Sequence, residues 1–194
     1  MMRTILLSNH YDGQPLEILE EAVGTDFTLK TLREVAQEEL NEAVREADYL
    51  IASGRLEINS DLLANAGKLR MVQRTGVGIE HIDTAYLKKM GVPFYVNSGI
   101  NADSVVDYAV MLMLSTLKRS YAINRQMRYG VWKKQETAIT THEIAGKTIG
   151  IIGMGNIGKR VARKLSGFDV ELIYTDINRF SEGEETKLGV HIVE

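Results

Sequence analysis

The sequence predicts an α/β protein built on parallel sheets in two successive parts, residues 1–100 and residues 101–194. Three features predict it. Short β-favouring apolar runs alternate with helical patterns from the first residues onward. One long, strongly apolar helical stretch after Asn97 breaks that alternation. A strand, a glycine-rich turn and a helix then open a second alternation at Lys147.

Arg3 to Ser8 reads as a buried strand. Leu16, Ile18, Leu19, Ala22 and Val23 form the inner face of the next helix, and Asp26 to Lys30 is a second strand. Val35, Leu40, Ala43 and Val44 recur at helical spacing among the charges of Glu34 to Glu46, and Tyr49 to Ala52 is the strand after it. Ser60 is placed to cap a short helix, Asp61 to Ala66, which Gly67 ends. Leu69 to Thr75 is a strand. Asp83 caps a helix from Thr84 to Met90, Gly91 closes it, and Pro93 to Asn97 is the last strand of the first part. Such repeats give a parallel sheet covered on both faces, here of flavodoxin-like type.

From Asn101 to about Tyr129 the chain reads as one helix. Val105, Val106, Ala109, Val110, Leu112, Met113 and Leu114 make it apolar on nearly every side, which predicts burial all round, between domains or between subunits. Lys133 to Glu143 reads as a polar loop.

Composition narrows the chemistry. Lys+Arg 23 against Asp+Glu 26 leaves a net charge of -3, which gives no electrostatic footprint for nucleic acid. The absence of cysteine excludes disulfides, thiolate zinc sites and a cysteine nucleophile. The apolar run Ile5 to Leu7 is too short for a secretory core. Val105 to Leu114, interrupted by Asp107 and Tyr108, falls short of the roughly 20 residues of a membrane span. A soluble, cytoplasmic protein is expected, with no nucleic-acid or membrane partner.

The chemistry is carried by residues 148–176. Thr148 to Ile152 is a strand, Gly153-Met154-Gly155-Asn156-Ile157-Gly158 is a G-x-G-x-x-G turn, and Lys159 to Leu165 continues as a helix. Val170 to Thr175 is the next strand and delivers Asp176 at its tip. Gly153 permits the tight turn, Gly155 presents no Cβ to a pyrophosphate, and Gly158 lets helix and strand approach. The amides of Asn156 and Ile157 point at the phosphates from the positive end of the helix. Asp176 is placed to bind the adenosine ribose hydroxyls and repel a 2′-phosphate, which predicts NAD over NADP, with nearby Arg179 as a weakening influence. The second part is therefore read as a Rossmann-type dinucleotide-binding domain. In the first part, Arg74-Thr75-Gly76-Val77-Gly78 follows a strand. Its glycines suit a nest of backbone amides for a carboxylate, or simply a tight strand-to-helix connection.

The stretches RTGVGIEHID (74–83), NADSVVDYAVMLML (101–114), RYGVW (128–132) and IAGKTIGIIGMGNIGKRVA (144–162) resemble, in order, the D-isomer-specific 2-hydroxyacid dehydrogenase family. The resemblance implies a substrate domain followed by an NAD domain. It also implies a 2-keto or 2-hydroxy acid substrate held by the amides of Val77 and Gly78, with Val105 near the nicotinamide. A homodimer through the helix 101–129 and the Trp132 segment is implied as well. One departure is local: many members carry an extra residue, often with a proline, in the segment matching Asn97 to Asn101. The other is large. The family's substrate-orienting Arg, its proton-exchanging His and the Glu that pairs with it have no counterpart after Asp176, where the sequence ends in a strand, Val190 to Val193. The expectation is thus an incomplete Rossmann domain with no catalytic residue of its own. His81, the nearest histidine to the nest, is expected in the first turn of the following helix. A non-catalytic NAD-sensing or interaction protein derived from the same family is the alternative.

Overall fold

In a computed structural model that describes residues 2–193, the chain divides into two units, Met1–Ser98 and Gly99–Glu194. Five strands form the first sheet: β1 (Arg3–Leu7), β2 (Phe27–Thr31), β3 (Tyr49–Ala52), β4 (Met71–Arg74) and β5 (Phe94–Val96). Their order is β2-β1-β3-β4-β5 with every pair parallel, so the order reverses beside β1, the kind of point where open sheets bind ligands.

Period-two alternation sends Leu6, Leu50, Ala52 and Val72 to one face. There they meet Leu40 of α2 (Gln37–Ala43), Val44 of the 3-10 turn behind it, Leu62 and Leu63 of α3 (Ser60–Ala64), and Leu87 of α4 (Thr84–Met90). On the opposite face Leu7 is buried, but Ile5, Tyr49, Ile51 and Met71 are only half-buried. α1 (Gly13–Val23) contributes no buried residue: Leu16, Leu19 and Val23 are half-covered while Ile18 and Ala22 stay exposed. The expected cover on both faces is therefore unequal. One helix about 10 Å across cannot roof five strands spaced about 4.8 Å apart.

Two local expectations shift. Asn59, not Ser60, caps α3, its Oδ1 accepting the Leu62 amide at 3.0 Å. Gly67 does not close that helix, because the amides of Asn65 and Ala66 tighten the last turn onto the carbonyls of Leu62 and Leu63. Asp83 does cap α4, accepting the Tyr86 amide at 2.8 Å, and Gly91 closes it at φ +71°. His81 lies ahead of α4 in the turn, where Ile82 bridges to Ile58.

The second unit pairs β6 (Thr148–Ile152), β7 (Glu171–Thr175) and β8 (Val190–Ile192) in parallel, in that order. The expected single helix is broken into α5 (Ala102–Leu117) and α6 (Ser120–Arg128), with Arg119 between them in the left-handed region at φ +49°. The cause is tertiary: the His142 amide donates to the Leu117 carbonyl at 2.9 Å, which a continuous helix would have given to Tyr121. The polar loop contains a further turn of helix, α7 (Lys134–Ala138).

α5 is not buried all round. Val106, with Ala109, Val110 and Met113 beside it, packs into a core made with α8 (Asn156–Leu165), β7, β8 and α9 (Glu182–Leu188), and Ala102 is buried as well. Asp103 pairs with Arg160 at 2.7 Å and Asp107 with Lys164, so α5 is held in register along α8. Val105, Tyr108, Met111 and Leu112 remain exposed on the other side. On the sheet, Thr148, Gly150 and Ile152 are exposed, opposite the face that carries Leu172 and Tyr174. No helix among the described residues is long and apolar enough to cross a membrane.

The two cores predict uneven stability. Under hydrogen exchange, amides in Ile5 to Leu7 and Tyr49 to Ala52 should be strongly protected, and those in Ile149 to Ile152 and Leu172 to Tyr174 should exchange much faster. The reason is that the second sheet has three strands and one covered face, and edge groups of β6 find no ladder partner outside β7. Equal protection of both sets would show that the second unit is self-sufficient.

Candidate functional site: a glycine-rich turn and a backbone nest

The turn between β6 and α8 is built around three glycines with separate tasks. Gly153 sits at φ +87°, a conformation that side chains rarely adopt, and its amide donates to the Thr175 carbonyl at 2.9 Å. A Cβ on Gly158 would lie well inside 3.0 Å of the Gly153 carbonyl oxygen, so any larger residue would push turn and helix apart. A Cβ on Gly155 would meet nothing within 4 Å. That open space is what a pyrophosphate needs above the turn.

The first intrahelical bond of α8 runs from the Lys159 amide to the Gly155 carbonyl at 3.1 Å, and no side chain caps the helix. The amides of Gly155, Asn156, Ile157 and Gly158 are thus the unpaired donors that every helix start carries. They stand at its positive end, where an anion is stabilised. Asn156 is fixed from two sides. Its Oδ1 accepts Arg160 Nε at 3.1 Å, and its Nδ2 occupies the place where a Cβ on Gly99 would stand. Gly99's part is not legible locally, because the fit depends on a contact between residues far apart in the chain.

Asp176 closes the site at the tip of β7. Its Oδ2 accepts the Met154 amide at 2.6 Å and its Oδ1 the Asn178 amide at 2.9 Å. The Asn178 amide first, then that of Met154, hold its carboxyl below the usual carboxylate range against the opposing effect of burial, with the Lys159 charge assisting. Ionised Asp176 therefore stabilises this turn above its ordinary pKa of 3.8, and that contribution is lost as pH falls through the lowered value. Beside it opens a groove lined by Ile152, Gly153, Thr175, Asp176, Ile177 and Asn178. Ile152 and Ile177 are 91% and 99% exposed, apolar surface at the mouth of an otherwise polar groove. Open space over Gly155, four free amides and a carboxylate across the groove fit a dinucleotide. Arg179 is exposed, two residues past Ile177.

Val77 and Gly78 lie past the end of β4, at the carboxyl edge of the first sheet. Gly76 accepts the Asn97 amide at 3.2 Å, and Arg74 reaches forward to donate from Nε to the Gly78 carbonyl at 2.9 Å. A trans peptide points its N–H opposite its C=O, so the bond on Gly76 turns the Val77 amide the other way. Neither the Val77 nor the Gly78 amide donates a hydrogen bond among the described residues, and the Val77 side chain is 58% exposed. His81 Nδ1 lies 2.7 Å from Glu57 Oε1 in the turn that follows. Val105 sits in the second turn of α5, partly exposed.

Residues 110–194 match the family model described as D-isomer specific 2-hydroxyacid dehydrogenase, NAD binding domain. A glyoxylate reductase of Thermococcus gammatolerans is 33% identical over 158 residues, which cover 79% of this chain and 47% of that protein. This chain thus spans about half the length of the curated relatives it matches. Among solved structures, a D-isomer specific 2-hydroxyacid dehydrogenase of Polaromonas superposes with a TM-score of 0.85 at 22% identity, over 100% of this chain and 60% of the other. An NAD-dependent formate dehydrogenase of Staphylococcus aureus, solved in complex with NAD, gives a TM-score of 0.78 at 27% identity, with the same shares covered.

Proposed function

Because this chain belongs to the D-isomer-specific 2-hydroxyacid dehydrogenase family, we propose that it is part of an NAD-dependent oxidoreductase. That enzyme reduces a small 2-keto acid to the D-2-hydroxy acid, or runs in reverse. Residues 1–100 act as the substrate domain and residues 101–194 as the first part of the NAD domain. The carrying observation is the glycine turn with its four free amides and, across the groove, Asp176.

NAD, when bound, accepts or donates the hydride at its nicotinamide. The chain's own residues bind and orient. Gly155 to Gly158 hold the phosphates with backbone N–H groups, and Asp176 accepts the ribose hydroxyls. Its two oxygens have room, since each accepts one amide and a carboxylate offers about four acceptor positions. The free amides of Val77 and Gly78 hold the substrate carboxylate, and Val105 lies toward the nicotinamide. No Arg, His and Glu set of the family kind is found in the sequence, so these 194 residues bind without carrying out proton transfer.

The exposed stripe Val105, Tyr108, Met111 and Leu112, together with exposed Tyr129 and Trp132, supports a homodimer through α5, α6 and the Trp132 segment. Large apolar patches of this kind mark interaction surfaces. The workplace of such a protein is the cytoplasm. The NAD-sensing alternative shares every binding residue named here and differs only in having no catalytic half to join. Calorimetric titration of the 194-residue protein tests the common ground: NAD should bind with NADP weaker, and no detectable NAD binding would overturn the reading.

A further inference from the structure

The loop from Asp176 to Ser181 carries the ribose carboxylate, yet Ile177, Asn178 and Arg179 within it are exposed. Its only apolar anchor is Phe180. That ring stacks on the buried Tyr174 with centroids 5.2 Å apart, and the Phe180 amide donates to the Tyr174 hydroxyl at 3.1 Å. The hydroxyl in turn donates to Glu185 Oε1 at 2.9 Å, which ties it to α9. Lys159 also meets this assembly, its Nζ lying over the Phe180 ring 4.3 Å from the centroid.

Lys159 belongs to α8, directly after the four free amides, and its stem is half-buried. One cation therefore joins the helix that offers the phosphate-binding amides to the loop that offers the carboxylate. The charges facing it are Asp176 and Glu184, whose carboxyls are held below the usual range first by backbone amides, of Asn178 and Met154 and of Ser181, with the Lys159 charge the smallest contribution. Nothing in the sequence local to α8 reveals a ring supplied from beyond β7.

We propose that Lys159 is a positioning residue for dinucleotide binding: by seating its ammonium on Phe180 it fixes the distance between the α8 amides and Asp176. The inference rests on the NAD reading above. A bare charge near the phosphates would also help an anion bind, but that effect would not need Phe180. The two roles part on that point.

The experiment is a double-mutant cycle on NAD affinity in the 194-residue protein, using Lys159→Met, Phe180→Leu and both together, with Lys159→Arg as the conservative control. Loss of a cation–π contact at such a site corresponds to about 2- to 5-fold in affinity. Each single variant should weaken NAD by at least that factor, the double variant should be little worse than either, and Lys159→Arg should restore binding. Amide resonances of Ile177 to Phe180 should broaden or shift in both single variants without NAD present. Additive losses, or a Phe180→Leu protein that binds NAD as the parent does, would overturn the proposal while leaving the NAD reading intact. A parent protein that binds no NAD would bring down that reading and the proposal with it.

Discussion

Residues 1–194 on their own are expected to show no measurable reduction of glyoxylate, hydroxypyruvate or a related 2-keto acid with NADH. Reduction of a keto group needs a proton as well as a hydride, and a positioned general acid or base contributes about 10²- to 10⁴-fold. Four histidines are present, and the structure gives two of them other partners. His10 Nδ1 lies 2.8 Å from the Leu32 carbonyl and His81 is paired with Glu57. The absence of the orienting Arg adds a further loss, because a misplaced keto acid forfeits the gain from alignment. A steady-state assay of the purified protein decides it. Turnover near ~10 s⁻¹, a typical enzyme value, would refute the expectation. It would also direct attention to His81 and Glu57, where His81→Asn should then abolish the activity.

The second large effect is expected at Asp176. In the reading proposed above, replacement by Ala removes the acceptors for two ribose hydroxyls and the charge that opposes a 2′-phosphate. NAD should weaken by ~1.5 to 3 kcal/mol, roughly 10- to 150-fold, while NADP binding improves. The substitution also frees the amides of Met154 and Asn178, which Asp176 holds at 2.6 and 2.9 Å, so part of the loss will come through the loop. The two contributions separate on the cofactor ratio. A loosened loop weakens both dinucleotides alike, whereas loss of the charge moves them in opposite directions. Titration of both into Asp176→Ala and Asp176→Asn gives the answer, and an unchanged NAD/NADP ratio would count against Asp176 as the ribose acid.

Much of this molecule was legible where one short stretch of sequence decides its own geometry. Gly153 reads directly as a positive-φ turn, Asp83 and Gly91 as the two ends of α4, and Val170 to Thr175 as a strand delivering an acid. Less legible were features settled by partners distant in sequence. The helix expected over 101–129 looks continuous in any local window, and it breaks because His142 takes the Leu117 carbonyl. The same stretch looked buried on all sides, yet only the face of Val106, Ala109 and Val110 finds a core. α9 went unread although Ser181 and Glu184 form a capping box, because the apolar face behind that signal is short.

The sequence by itself determined the alternation of strand and helix, the glycine turn, the acid opposite it and the resemblance these carry. All of them rest on period, backbone conformation and spacing, which are properties of consecutive residues. Only the tertiary structure decided that Gly158 sits against the Gly153 carbonyl, that Gly99 makes room for Asn156, and that Lys159 rests on Phe180 rather than in water. It also decided that Val77 and Gly78 keep their amides free, the Val77 amide being turned away by the bond that the Gly76 carbonyl accepts from Asn97. Each of these is a packing or hydrogen-bond choice among groups that meet only after the chain has folded, and hydrophobic patterning, being blind to which partner arrives, cannot make it.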